Sequence, residues 1–168
     1  MVCRKHRKKE QKNILPDGLD KIDWQILQLL ESNARMTIKE IADKVHLSTS
    51  PVHDRIKKLE QSGIIQQYVT LLNAAKVNKG LWVICYVSLK QHNKSAGSKF
   101  IKAIQAMPEV KECYNISGEF DFMLKVAVKN MESYYDFHVN QLSEAENIGH
   151  VQSVFVMGIV KQTHTLLS

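Results

Sequence analysis

A chain of 168 residues holds one large domain or two small ones, and its 44% apolar and 24% charged content fits a globular protein with a sizeable core. No run approaches the roughly 18 apolar residues of a membrane span, so the expected location is cytoplasmic, with no membrane partner. The net charge of +6 is concentrated at one end, where residues 1–12 hold six bases (Arg4, Lys5, Arg7, Lys8, Lys9 and Lys12) against one acid, Glu10.

The leader "MVCRKHRKKEQKN" is basic but has no apolar stretch behind it, which does not fit a secretory signal. It has two readings: a flexible arm held near an anionic polymer, or a solubilising leader. Three cysteines, Cys3, Cys85 and Cys113, are odd in number and show no CxxC spacing, which argues against a disulfide framework or a zinc site. The seven histidines form no ligand-like cluster, so no metal or other cofactor is expected.

From Leu19 to Gly63 the hydrophobic period is helical. "LDKIDWQILQLLESN" aligns Ile22, Ile26, Leu29 and Leu30 on one stripe, with Asp20 as N-cap. "MTIKEIADKVH" aligns Ile38, Ile41, Ala42 and Val45, and Thr37 with Glu40 gives a capping-box signature. "STSPVHDRIKKLEQSG" places Val52, Ile56 and Leu59 on one side, with Ser48 as a candidate cap and Pro51 in the first turn. The last two helices, joined by "HLS", have helix-turn-helix spacing.

After Gly63 the strand signal takes over. "IIQQYVTLL" reads as a strand connecting two halves. "LWVICYVSL", "VKECYNI", "FMLKVAV" and "VQSVFVMGIV" follow as short runs rich in β-branched and aromatic residues. The helical stretches "SAGSKFIKAIQAMPEV" and "MESYYDFHVNQLSE" interrupt them, so the order from residue 82 is β-α-β-β-α-β. That predicts a ferredoxin-like antiparallel sheet with both helices on one face. The run "LWVICYV" is apolar at both alternations, so the second face is expected to be buried as well, most simply in a homodimer that stacks two sheets. The predicted class is α+β. The predicted parts are a basic arm (1–18), a three-helix DNA-binding domain (19–63), a connecting segment (64–81) and a ferredoxin-like domain (82–168).

On a wheel anchored by Val52, Ile56 and Leu59, the outer face of the third helix carries Ser50, Asp54, Lys57 and Gln61, flanked by His53 and Lys58. Such a face suits base-edge hydrogen bonds, while Arg55, Lys57 and Lys58 suit phosphates. Ser48, Thr49 and Ser50 add hydroxyls and backbone N–H groups at the helix start. The bland alternative is a solvated face of a small bundle.

The motifs "LDKIDWQIL", "IKEIADKVHLS", "RIKKLEQSGII" and "TLLN", followed by "SGEFDFMLKV" and "VFVMGIVKQT", resemble the Lrp/AsnC, or feast/famine, family over about Leu19–Thr163. The resemblance implies a winged or plain helix-turn-helix joined to a ligand-sensing αβ sandwich. It implies a one-component regulator of double-stranded DNA in a bacterial or archaeal cytosol. It further implies dimers assembled into larger discs, commonly octamers, with a small effector, usually an amino acid, in clefts between dimers. Carried onto this chain, the DNA contacts are Ser48, Thr49, Ser50, His53, Asp54, Arg55, Lys57 and Lys58. The effector cleft takes Gly118, Glu119, Asp121 and Phe122, the face near Met131 and Tyr135, and Val154, Phe155 and Val156. Gly158-Ile159 stands where many members have an acidic pair, and the basic leader exceeds the usual start.

Within "SGEFDF", Glu119 and Asp121 are two positions apart. Paired carboxylates can do acid–base work, bind a cation or end a strand by accepting backbone N–H bonds. No nucleophile or base arrangement surrounds them, so catalysis is not expected. An amino-acid zwitterion needs an anion or carbonyls, N–H donors and an apolar wall. Asp121, the Gly118 backbone, and Phe122, Met131 and Phe155 are the expected sources, with Glu119 the more expendable acid. The rival readings are a ligand-independent architectural DNA-compacting protein and a small-molecule enzyme.

Overall fold

The computed structural model describes residues 18–91 and 93–167; the basic leader, apart from Gly18, lies outside them. The chain divides into two compact units. One runs to Thr70 and takes back the chain from Thr163, and the other is Leu71–Gln162. The return of the last residues departs from the expected 82–168 grouping. Its cause is local: the Glu31 carboxylate accepts the backbone N–H groups of Leu166 and Leu167, and Gln28 Nε2 donates to the Leu167 carbonyl at 3.3 Å.

The first unit contains α1 (Lys21–Ser32), α2 (Ile38–Val45) and α3 (Thr49–Gln61). The Asp20 carboxylate accepts from the N–H groups of Ile22 and Asp23, and the Asp23 carboxylate accepts from the Asp20 N–H, closing a capping box at α1. Thr37 and Glu40 close the expected one at α2. Ser48 takes the N-cap backbone position of α3 without a side-chain cap bond. Ile26, Leu30, Ile41, Ala42, Val45, Val52 and Leu59 form the core with Ile22, Leu29 and Ile56 packed against it, so the predicted stripes pack except at Ile38, which is exposed.

The second unit is the expected four-stranded sheet. β1 (Leu81–Leu89), β2 (Val110–Asn115), β3 (Phe122–Val128) and β4 (Ile148–Phe155) lie in the order β2-β3-β1-β4, each pair antiparallel. α4 (Lys94–Gln105) and α5 (Met131–Phe137) cover one face, and a π-turn, His138–Leu142, continues α5. Val83, Cys85, Val87 and Leu89 of β1 and Phe122, Leu124, Val126 and Val128 of β3 point into that layer. They meet Phe100, Ile104, Tyr134, Phe137 and Leu142 there. The alternate residues Trp82, Ile84, Tyr86, Met123 and Lys125 occupy the opposite face, which among the described residues no helix of this unit covers; each remains partly accessible.

Two expectations fail here. The run Ile64–Leu72 joins no ladder among the described residues, and Ile64, Tyr68, Val69, Leu71 and Leu72 stand exposed. Its composition suits a strand, but a strand exists only through a partner's N–H and C=O groups, and the sheet's pairings are β2–β3, β3–β1 and β1–β4 alone. The last strand also ends five residues early, at Phe155. Val156 N–H still donates to the Trp82 carbonyl at 3.0 Å, after which Met157–Val160 leave the sheet. Its start at Ile148 is set by a register shift at Ser88/Leu89, where a Cβ on Gly149 would stand 3.2 Å from the Ser88 carbonyl oxygen.

Candidate DNA interface and effector site

α3 turns its buried side, Val52 and Leu59, onto α1 and α2, which fixes what faces outward. Ser48, Thr49, Ser50, His53, Asp54, Lys57 and Lys58 are all exposed, as the wheel predicts. His53 Nδ1 lies 3.4 Å from Asp54 Oδ1. The arrangement offers hydroxyl, imidazole, carboxylate and ammonium groups within two turns, a set able to donate to and accept from base edges.

Arg55 does not belong to that face. Its Nη1 donates to Asp23 Oδ1 at 2.6 Å and to Asp20 Oδ2 at 2.7 Å, so both hydrogens of that nitrogen are engaged within the unit. Two carboxylates around one guanidinium leave the cluster net negative, the wrong sign to hold a phosphate. The assignment of Arg55 as a phosphate contact is therefore corrected: it ties α3 to the start of α1. The bonds to Asp23 and Asp20 push the guanidinium pKa further up. Asp20 is held below the usual carboxylate range, first by the Asp23 N–H and also by Arg55.

The turn Ile116–Asp121 folds back on the end of β1. Ile116 N–H donates to the Asp121 carbonyl at 2.9 Å, and Asp121 N–H donates to the Val87 carbonyl at 2.9 Å. Asp121 Oδ2 accepts the Leu89 N–H at 2.7 Å, while Ser88 Oγ donates to the Glu119 carbonyl at 3.3 Å. Gly118, at φ +120°, supplies a backbone conformation that L side chains rarely adopt. The Asp121 carboxylate thus does what strand-end carboxylates commonly do: it satisfies a backbone N–H that the ladder leaves over. Glu119 is the exposed acid of the two.

The remaining effector residues do not meet in one chain. Phe122 is 4% exposed and packs on Phe100 at a ring-centre distance of 4.7 Å, so it is a core residue and not a cleft wall. Phe155 faces the helical layer, edge-on to Tyr134 at 5.2 Å, whereas Val154 pairs with Ile84 on the open face. Met131 and Tyr135 lie on the outer side of α5, 57% and 70% exposed. The turn at Gly118–Asp121 precedes β3 and Met131 follows it, so the length of that strand, roughly 20 Å, separates the two groups.

The open sheet face holds a feature that sequence reasoning missed. Trp82, Ile84, Lys125, Val156, Ile159 and Val160 line a hollow of about 430 Å³. Lys125 Nζ lies 5.2 Å from the Trp82 ring centre and 2.7 Å from Glu112 Oε1. The signal was present in the alternation of Trp82, Ile84 and Tyr86, but the closing residues come from the segment expected to be strand.

Two family models cover nearly the whole chain: a winged helix-turn-helix DNA-binding domain matches residues 19–66 and the Lrp/AsnC ligand binding domain matches residues 83–166. A leucine-responsive regulatory protein of Rhizobium meliloti is 35% identical over 85% of this chain and 92% of its own length. The DNA-binding transcriptional activator DecR of Escherichia coli is 31% identical over 88% and 97%. Among solved structures, a transcriptional regulator of Neisseria meningitidis in complex with L-Met superimposes with a TM-score of 0.83 at 36% identity, covering 88% of this chain and 96% of that one. A helix-turn-helix with an exposed polar third helix, a βαββαβ sheet and these matches lead to one assignment: the chain belongs to the Lrp/AsnC family of DNA-binding transcriptional regulators with a ligand-binding domain.

Proposed function

We propose that α3 enters the major groove of double-stranded DNA with Ser50 and Asp54 toward base edges. His53, Lys57 and Lys58 then lie beside the sugar–phosphate backbone, and Ser48 and Thr49 offer a phosphate the helix start. The observation that carries this is the full exposure of that polar face on a helix whose other side is locked into the core. Such a protein works in the compartment that holds the DNA, the cytoplasm of a bacterium or archaeon, and has no catalytic role.

The effector is proposed to be a small amino acid, as in the Neisseria meningitidis regulator solved with L-Met. With the Gly118–Glu119 backbone and the Met131, Tyr135 side roughly a strand length apart, one cleft takes the turn of one subunit and the α5 side of a neighbour. This separation supports a site between subunits. A homodimer through the open sheet face, around Trp82 and Ile84, and further assembly to an octamer complete the proposal.

Thermal-shift measurement against each of the twenty amino acids tests it. A ligand at a hundredfold its Kd stabilises by about 2.7 kcal/mol, and Tyr135→Ala is expected to remove that shift while leaving the unliganded midpoint in place. If no amino acid moves the midpoint, the ligand-independent architectural reading replaces this one.

A further inference from the structure

Asp23 is the one charged side chain buried among the described residues, 7% exposed. A buried carboxylate is retained only where it is paired and hydrogen-bonded. Here it is both: it accepts the Asp20 N–H at 3.1 Å through Oδ2 and the Arg55 guanidinium at 2.6 Å through Oδ1. Arg55 reaches across 35 and 32 residues of sequence to Asp20 and Asp23. It leaves α3 one position after Asp54 and two before Lys57, so it holds the helix at the middle of its proposed reading face. The apolar contacts of Val52 and Leu59 seat α3 on the core, but the hydrophobic effect behind them is non-directional and opposes a small roll of the helix about its axis less sharply than a directional bond would. A guanidinium bridging two carboxylates is directional and resists that roll.

We infer that the Asp20–Asp23–Arg55 clamp is a positioning device for DNA recognition: it sets the rotation of α3 and thereby sequence discrimination, without touching DNA. The inference rests on the reading of α3 as the recognition helix. Losing the clamp then costs specific affinity far more than non-specific affinity. A rolled helix still presents Lys57 and Lys58 to phosphates but no longer places Ser50 and Asp54 against base edges.

The full chain is first used to select a duplex from a random-sequence library. The parent protein, Arg55→Met, Arg55→Lys, Asp23→Asn, the double variant Arg55→Met/Asp23→Asn and Lys57→Ala are then titrated against that duplex and a scrambled one across a salt series. The expected result is a loss of about tenfold or more in the selected-to-scrambled ratio for Arg55→Met and Asp23→Asn, with the salt slope of log K unchanged. The double variant should lose no more than either single one, because all three groups act as one unit. Arg55→Lys, which keeps the charge but not the fork, should fall between parent and Arg55→Met, and it carries the comparison if Arg55→Met does not fold. Lys57→Ala should flatten the slope by about 0.9. A slope flattened to that extent by Arg55→Met would make it a phosphate contact and overturn the inference, as would an unchanged ratio in Arg55→Lys and Asp23→Asn. If Lys57→Ala leaves both slope and ratio untouched, the recognition role of α3 itself fails and takes the clamp's role with it.

Discussion

In the helical unit the polar contact that reaches into the interior is ionic: the Arg55 bridge to Asp20 and Asp23 sits over a core of seven aliphatic side chains. In the sheet unit the polar cluster inside the core is neutral, and the ion pairs Lys99–Glu146 and Lys125–Glu112 lie outside it. Tyr134 OH lies 2.5 Å from Ser153 Oγ and 3.3 Å from Cys85 Sγ, beneath a core that includes Phe100, Phe122 and Phe137. A small three-helix domain buries too little apolar surface to fix its helices by packing alone, so charge geometry supplies the directionality. A larger sheet layer has packing enough, and inside that layer it places its polar cluster where β1, β4 and α5 meet. One unit is therefore sensitive to what happens to charge, the other to what happens to volume.

The largest test of that contrast is Phe100→Ala. Truncating a fully buried phenylalanine costs about 3–5 kcal/mol through lost transfer energy and the cavity left behind. The two tryptophans report separately, Trp24 from α1 and Trp82 from β1. Urea titrations of single-tryptophan variants should show the Trp82 midpoint falling sharply while the Trp24 midpoint holds. Equal shifts at both would mean that the units unfold as one cooperative block and that the contrast is not energetic.

Asp121→Ala comes next. Removing the acceptor leaves the Leu89 N–H without its carboxylate partner, and a bond to a charged group contributes about 1.5–3 kcal/mol. The Trp82 midpoint should fall accordingly, and Asp121→Asn, which keeps an acceptor oxygen, should recover much of it. An Asp121→Ala protein with an unchanged midpoint and no amino-acid response would instead make that carboxylate a ligand contact.

These two residues also show where sequence reasoning stops. The helices, the caps of α1 and α2 and the strand order were legible because periodicity and capping are local, and "MTIKE" closes within four residues. Phe122 was legible too: it alternates with Leu124, Val126 and Val128, and that alternation already places it inside. The turn motif drew it outward only because the stretch was read as a unit. Asp121 was not legible, since choosing between a ligand and the Leu89 N–H requires knowing that the turn lies against the end of β1, 32 positions earlier. Arg55 failed for the same reason, because a helical wheel shows direction but not reach. The run Ile64–Leu72 failed because strand composition says nothing about whether a partner is present.

The smallest predicted effect separates the units by pH, and its two limbs run in opposite directions. Asp20 and Glu40 titrate below their ordinary range: backbone N–H groups at the starts of α1 and α2 hold their carboxylates ionised, with Arg55 adding to the first and the Thr37 hydroxyl to the second. A depressed carboxylate contributes stability that is complete above the unfolded value of about 4 and lost as pH falls through the native one. Both groups are well exposed, so solvent screens the gain and the acid limb at Trp24 should be shallow. Cys85 is raised by burial, and Tyr134 is raised by burial and by Cys85. Groups raised in the native state contribute fully below their unfolded values, about 8.5 for the thiol and 10 for the phenol, and that contribution is lost as pH climbs from there through the native values. The Trp82 midpoint should therefore begin to fall above about pH 8.5 while the Trp24 midpoint is still flat. Tyr68, raised to about 12 by burial and Glu60, gives the helical unit an alkaline limb of its own, but it is half-exposed and starts near the higher phenol value. Cys113, also raised by burial, starts from the same thiol range, so the Cys85→Ala/Cys113→Ala double variant is the one that should move the onset at Trp82 upward by about one to two pH units; an onset that stays in place would assign the alkaline limb to groups other than the two thiols.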